Sequence, residues 1–305
     1  MTELARKPKP KLWKIVVLAL LAIPLLVIDR PTGADQELAR GLWNLGHICF
    51  FALAVLALKR QLDMRNWPHW LAISIAVFVI SVIVEFLQYG AGRERGWEDI
   101  ERNLIGAWLA MFWLIPGSAQ VWTGRLIATG LFLAQVSVVG QLALTEHRLS
   151  QSLPILSSLE KPYELQWWDG QVERSTEHTR LGQYSLRVHY SDSGYSTAVL
   201  HTLPSDWTGY QNLRFEVYNP QLTPVSLNLR IQDLEYQQRG ARFNDRFNLA
   251  FVAEHGWSTI EVSLSDVLEA PETRHMQMNR IAQLEVFTTN LSQPKVIYLD
   301  HFRLR

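Results

Sequence analysis

Five apolar runs in the first half of the chain constrain its fold more than any other feature. They cover about 13–28, 42–58, 70–88, 104–121 and 126–144. Each is long enough, as a helix, to cross a hydrocarbon layer of roughly 30 Å. Residues 1–144 are therefore expected to form an all-α bundle of about five transmembrane spans. Basic residues precede the first run, as in a signal peptide. No small-residue cleavage site follows in "LLVIDRPTG", so the run reads as a retained span.

The lysines and arginines orient these spans. Arg6, Lys7, Lys9, Lys11, Lys14, Lys59, Arg60, Arg65 and Arg125 fall on one side. The opposite loops hold Arg30, Arg40, Arg93, Arg95 and Arg102. These are diluted by Asp29, Asp35, Glu37, Glu94, Glu98, Asp99 and Glu101. The bias puts the N-terminus in the cytoplasm and, after five crossings, the C-terminal half outside an inner, cytoplasmic membrane. One span fewer reverses the second statement. Equal numbers of acidic and basic residues, 29 each, and no basic stripe argue against nucleic acid as a partner. The only cysteine, Cys49, excludes an intrachain disulfide and a cysteine metal cluster, and it reads as a small packing residue.

Polar side chains gather at the expected outer ends of the spans. Glu85 and Gln88 lie three apart, Asp99, Asn103 and Gly106 four and three apart, and Asn44 and His47 three apart, so each set shares a helix face. Ionisable groups at this depth are costly unless paired or facing water. His47 and Glu85 stand out because apolar residues flank both. Glu98, Glu101 and Arg102 read as a snorkelling interface with structural ion pairs, and Gly106 as a close helix contact. His47, Glu85, Gln88, Arg93, Asp99 and Asn103 form the candidate site, catalytic or binding. A carboxylate near an imidazole is a proton-exchange pair, and an arginine on a turn grips phosphate or carboxylate.

The set Glu85-x-x-Gln88, Gly92-Arg93, Asp99, Asn103 and Gly106, with His47 in "GHICFFALAVLAL", resembles the VanZ-like membrane proteins over about residues 13–120. That family often has proline-glycine-arginine at the turn. Here the turn reads "YGAGRERG", so the equivalent arginine is Arg93 or Arg95. The family is named for a protein linked to glycopeptide-antibiotic tolerance. The resemblance implies a place and a cluster rather than a reaction. No nucleophile motif, phosphate loop or HExxH spacing is present.

Residues 145–162 mix Ser, Pro and charge and read as a juxtamembrane linker. From Tyr163 the pattern changes to short alternating runs such as "QYSLRVHY", "NLRFEVYN", "VSLNLRIQD" and "KVIYLDHFRLR". Regularly spaced strands of this kind predict an all-β sandwich over 163–305. Their order and punctuation resemble the galactose-binding-like jelly rolls. Among these are carbohydrate-binding modules and the related domain of the complex I intermediate-associated protein. That resemblance implies saccharide binding through aromatic faces and planar polar groups. The candidates are Trp167, Trp168, Tyr195, Tyr236 and Arg242, with Arg230, Asp233, Asp245 and Arg246 as polar partners. If Trp167 and Trp168 both lie in a strand, only one can face inward. Trp207 and Trp257 read as packing residues. No motif implies a cofactor. Asp300 resembles an aspartate that helps hold a structural calcium in some such modules, with Glu173 or Glu177 to complete the site, but a lone aspartate beside a final strand is more often a turn or cap residue.

Two functions follow from these readings. In the first, the protein handles cell-envelope glycans or lipid-linked saccharides, with membrane lipid and saccharide as partners. In the second, it is a non-enzymatic anchor or assembly factor whose sandwich binds a protein. Five spans with no inverted repeat or broken-helix pair argue against a transporter.

Overall fold

The computed structural model describes residues 37–90, 97–192 and 194–305. The run 13–28, Arg93, Arg95 and the side chain of Gln88 lie outside the described residues. The chain divides into two compact units, Met1–Leu144 and Thr145–Arg305.

The first unit is helical: α1 (Glu37–Leu58), α2 (Trp67–Gly90), α3 (Trp97–Leu114) and α4 (Ala119–Ser152), the last running on into the second unit. Among the described residues, α1, α2 and α4 are long and apolar enough to cross a membrane. Helix α3 is not, because Glu98, Asp99, Glu101 and Arg102 crowd its first turns. The run expected over 104–121 is thus corrected. Its helix begins earlier and stops at Leu114, just before Pro116 and Gly117, which cannot continue it. Arg125 from α4 satisfies the end, donating from Nε to the Phe112 carbonyl at 3.0 Å and from Nη2 to that of Ile115 at 2.7 Å.

Helices α1 and α3 meet backbone to backbone. A Cβ on Gly106 would sit 2.2 Å from the Ile48 carbonyl oxygen, so only glycine fits there. Below this contact Phe51 and Val55 of α1, Ile73 and Val77 of α2, and Ala107 and Met111 of α3 form one core.

The second unit is a β-sandwich of antiparallel pairs. One sheet runs β3 (Val172–Ser175), β4 (Ser185–Tyr190), β11 (Lys295–Leu304), β6 (Asn212–Asn219), β9 (Gly256–Ser263), with β1 (Ile155–Ser157) also on β11. The other runs β2 (Trp168–Gly170), β5 (Tyr195–Leu200), β10 (Ile281–Thr289), β7 (Val225–Asp233), β8 (Phe247–Ala253). The alternation in the sequence sets the inward faces. Leu186, Val188, Phe215 and Val217 of the first sheet share one core with Leu227, Leu229, Leu284 and Val286 of the second.

The stretch expected as a linker is built into this unit. Leu156 and Leu159 are fully buried. Glu164 accepts backbone N–H groups from Ser158 at 2.7 Å, Leu159 at 2.8 Å and Lys161 at 3.2 Å. Strand β11 carries a bulge between Asp300 and Arg303, with His301 at φ +52°. The extra residue lets Leu299, Phe302 and Leu304 all reach the core.

Candidate functional site

In the helical unit, α1, α2 and α3 bring part of the expected cluster together. His47, Asp99 and Asn103 are at most 4% exposed. Ser81 on α2, which the sequence reading did not single out, joins them and is fully buried. The hydrogen bonds run one way. Ser81 gives its only proton to the Val77 carbonyl at 2.8 Å, so its oxygen accepts from Asn103 Nδ2 at 2.9 Å. That fixes the Asn103 amide with Oδ1 toward His47 Nδ1, 3.2 Å away. His47 therefore carries its proton on Nδ1 when neutral, and its other nitrogen, Nε2, faces Asp99 Oδ2 at 3.8 Å. The Asp99 Oδ1 oxygen accepts from Arg102 at 2.7 Å, and Arg102 also reaches Glu98 at 2.9 Å. Arg102 thus makes structural ion pairs, as expected, but is buried rather than snorkelling. It is 8% exposed and is the counter-charge that holds Asp99. Glu85 lies one helical turn beyond Ser81 on α2 and is half-buried. The arrangement can hold a proton between imidazole and carboxylate at Nε2, with Asn103 and Ser81 positioning the ring.

In the sandwich, the outward face of the second sheet forms rows across the strands. One row reads Asp169, Val199, Glu285, Arg230, Asn248, each residue paired with the next across β2, β5, β10, β7 and β8. The next reads Thr197, Phe287, Asn228, Ala250. Glu285 is 1% exposed because Tyr195, Thr197 and Arg230 close over it. Its carboxylate accepts from the Tyr195 hydroxyl and from Thr197 at 2.6 Å, and it pairs with Arg230. Arg230 also donates to the Tyr195 hydroxyl at 2.9 Å. Tyr195 is 47% exposed, and its ring leans on Phe287, 5.2 Å between centroids. Gln232 donates to Gln283 at 2.6 Å beside them. This net presents an aromatic face with Arg230 and Gln283 partly open to solvent, both held in place by the buried Glu285 and Gln232. Glu285, Phe287 and Gln283 were not singled out from the sequence, although their alternation with Leu284 and Val286 carries the signal.

The other candidates scatter. Trp167 and Trp168 are 6% and 4% exposed, against the expectation that one faces out. A 3₁₀ helix, Pro162–Trp167, ends where β2 begins, so the two indoles belong to different elements and both turn inward. Trp168 packs on Phe302 and donates to Ser157 at 3.1 Å. Asp233 and Asp245 are also buried, gripped by Arg274. Arg274 Nη2 meets Asp233 Oδ1 at 2.8 Å, and Nε meets Asp245 Oδ1 at 2.7 Å. Both acids therefore hold the fold and present nothing to a ligand. Tyr236 and Arg246 pair at 2.9 Å, and Arg242 is exposed nearby.

Asp300 is fully buried and accepts the N–H groups of Arg180 at 2.8 Å and Leu181 at 3.1 Å. Burial pushes its carboxyl up to about 6, against the pull of these backbone donors. Glu160, not Glu173 or Glu177, holds the adjoining loop, accepting from Gln183 at 2.9 Å and Tyr184 at 3.0 Å. Glu173 engages His189 and Arg187, and Glu177 engages Tyr298 and Arg187. Asp300 thus holds a loop, while Glu173 and Glu177 are engaged by other side chains. Among the described residues no group of three or more His, Cys, Asp or Glu side chains is placed to hold a metal ion.

No protein-family model and no curated protein matches the chain, so neither resemblance drawn from the sequence is established by that route. Solved structures do show likeness. The family 11 carbohydrate-binding module from Clostridium thermocellum, in complex with a β-1,3-1,4-mixed-linked tetrasaccharide, is 13% identical at TM-score 0.39, over 50% of this chain and 94% of its own. The CBM22-1 xylan-binding domain from Paenibacillus barcinonensis is 13% identical at TM-score 0.32, over 48% of this chain and 90% of its own. An agarase is 13% identical at TM-score 0.38, and the match spans only 26% of its length. At these values the likeness carries no argument about function. The β-sandwich rests on the strand pairing described above.

Proposed function

We propose that the protein is a membrane-held saccharide-binding protein that handles cell-envelope glycans or lipid-linked saccharides. In this reading the run 13–28 and α1 to α4 cross the cytoplasmic membrane, α3 through the core it shares with α1 and α2, which makes five crossings with the N-terminus cytoplasmic and the sandwich outside. The observation that carries it is the outer face of the second sheet. Tyr195 is about half exposed, Phe287 backs it, and Arg230 and Gln283 are held beside it by hydrogen bonds across the strands to Tyr195 and to the buried Gln232. Sugar rings stack on such aromatics, and fixed planar groups meet hydroxyls without further ordering cost. The buried His47–Asp99 pair, oriented by Asn103, supports a role for the helical unit in holding a polar lipid headgroup.

The test is glycan-array and calorimetric binding by the full-length protein in nanodiscs, alongside Tyr195→Ala and Phe287→Ala. Saccharide binding that both variants lose, with thermal unfolding unchanged, supports the reading. A folded protein that binds no glycan but co-purifies with a stable protein partner would replace it with the assembly-factor reading.

A further inference from the structure

On the outer face of the second sheet, positive charge collects on one side and goes unanswered. Arg230 spends its guanidinium on Glu285 and Tyr195. One residue before β8, Arg246 is held beside it, its guanidinium 5.6 Å from the Tyr236 ring centre and 5.0 Å from that of Phe243. Its Nη1 donates to the Tyr236 hydroxyl at 2.9 Å, and that hydroxyl donates to the Ala241 carbonyl at 3.1 Å, which locks the slot. Arg246 has no ion pair among the described residues, and its Nε is buried without a hydrogen-bond partner. Arg242 is exposed on the same connection.

Nearby acids are already engaged. Asp233 and Asp245 are held by Arg274, Glu235 by Arg239 and Arg274, and Glu272 accepts from Asn244. On the face itself the remaining acid is Asp169, at the far edge on β2 beside His201, 3.7 Å away. Burial and the nearby Arg246 charge both hold the Arg230 guanidinium below its usual range, as two adjacent cations would. A stacked, half-buried guanidinium with open donors matches a carboxylate by geometry as well as charge.

We propose that this face takes an acidic saccharide, a glycan whose rings carry carboxylates, with Arg246 as the carboxylate-binding residue and Arg242 adding to the local field. The proposal rests on the saccharide-binding reading of the same face and names its substrate class. Phe243, 72% exposed beside Arg246, would extend the stacking surface for the same chain of sugars.

The test titrates the full-length protein in nanodiscs with matched pairs of tetrasaccharides of gluco, galacto and manno configuration. Each pair is neutral or oxidised to the carboxylate at C6. The uronate member of the preferred pair should bind about tenfold tighter at low salt, with the advantage shrinking as sodium chloride is raised. Arg246→Gln should bring the uronate-to-neutral ratio toward one. Equal or better binding of the neutral member overturns this inference and leaves the saccharide reading standing. So does a ratio that Arg246→Gln does not change. Binding of no member by a protein with wild-type thermal unfolding overturns both.

Discussion

Arg274 offers the sharpest test of how the sandwich is held. Its side chain is 9% exposed and joins Asp233, fully buried, to Asp245, 11% exposed at the side chain. Replacing it by Met keeps most of the packing but strands two buried carboxylates. Asp233 keeps the backbone N–H groups of Tyr236 at 3.0 Å and Gln277 at 2.8 Å, so part of its charge stays solvated by the chain. Breaking a buried pair from one side costs about 3–5 kcal/mol, and these surviving bonds argue for the lower half of that range. In a domain of this size each kcal/mol moves the midpoint about 2–4 °C, so the loss should be about 6–16 °C. Thermal unfolding in detergent, followed by tryptophan emission, reads this directly because Trp167, Trp168 and Trp207 are buried in this unit. Asp233→Asn added to Arg274→Met should lose little more than the arginine variant alone, since both cut the same pair. A drop below about 3 °C for Arg274→Met, or strictly additive losses, would show that the triad is a solvated surface pair.

Gly106→Ala should separate α1 from α3, because the new Cβ meets the Ile48 carbonyl. Faster hydrogen exchange across 44–52 and 99–107 checks this, and unchanged exchange would mean the helices do not touch there. Asp300→Asn should flatten the pH dependence of sandwich stability. The folded carboxyl is raised above its unfolded value of 3.8, so its stabilisation is full below about pH 4 and lost as pH climbs through about 6. Denaturant unfolding at pH 4 and pH 7 should show about 1–3 kcal/mol less difference in the variant. Trp168→Ala should cost about 3–5 kcal/mol of stability while leaving glycan affinity per folded molecule unchanged, as calorimetry would show.

Much of this was legible in the sequence. Period-two alternation placed Leu227, Leu229 and Ile231 inside and Arg230 outside before any coordinates, because a half-buried strand leaves little choice. Helical spacing grouped Asp99 with Asn103, and glycine at the next turn announced a close contact. The failures have physical reasons. The in/out rule for the adjacent tryptophans held only if both lay in one strand, and a change of element between 167 and 168 removes that condition. The ion pairs of Arg102 were expected but its burial was not, because its spacing from Asp99 and Glu98 says nothing about which side faces α1. Ser81 was invisible, since a serine in an apolar run signals nothing until a partner from another helix reaches it. Asp233 and Asp245 passed for ligand groups because their true partner, Arg274, is 41 and 29 residues away. Charge pairing across a β-sandwich is a tertiary fact, and no local window contains it.

The bulge at His301 has a consequence for how β11 can change over time. A strand alternates like a two-state counter, and an extra residue resets the count. Downstream of it Phe302 and Leu304 land inside and Arg303 outside. Upstream, Ile297 and Leu299 do the same with Tyr298 between them. Removing His301 would leave Leu299, Asp300, Phe302, Arg303 and Leu304 in plain alternation with the same side chains inward, so the bulge is the one place where this strand can lose a residue without inverting its parity. Anywhere else in the strand, at Tyr298 for instance, a single-residue deletion would put the residues on one side of it on the wrong face and act more like a reading-frame error than a loss of one side chain.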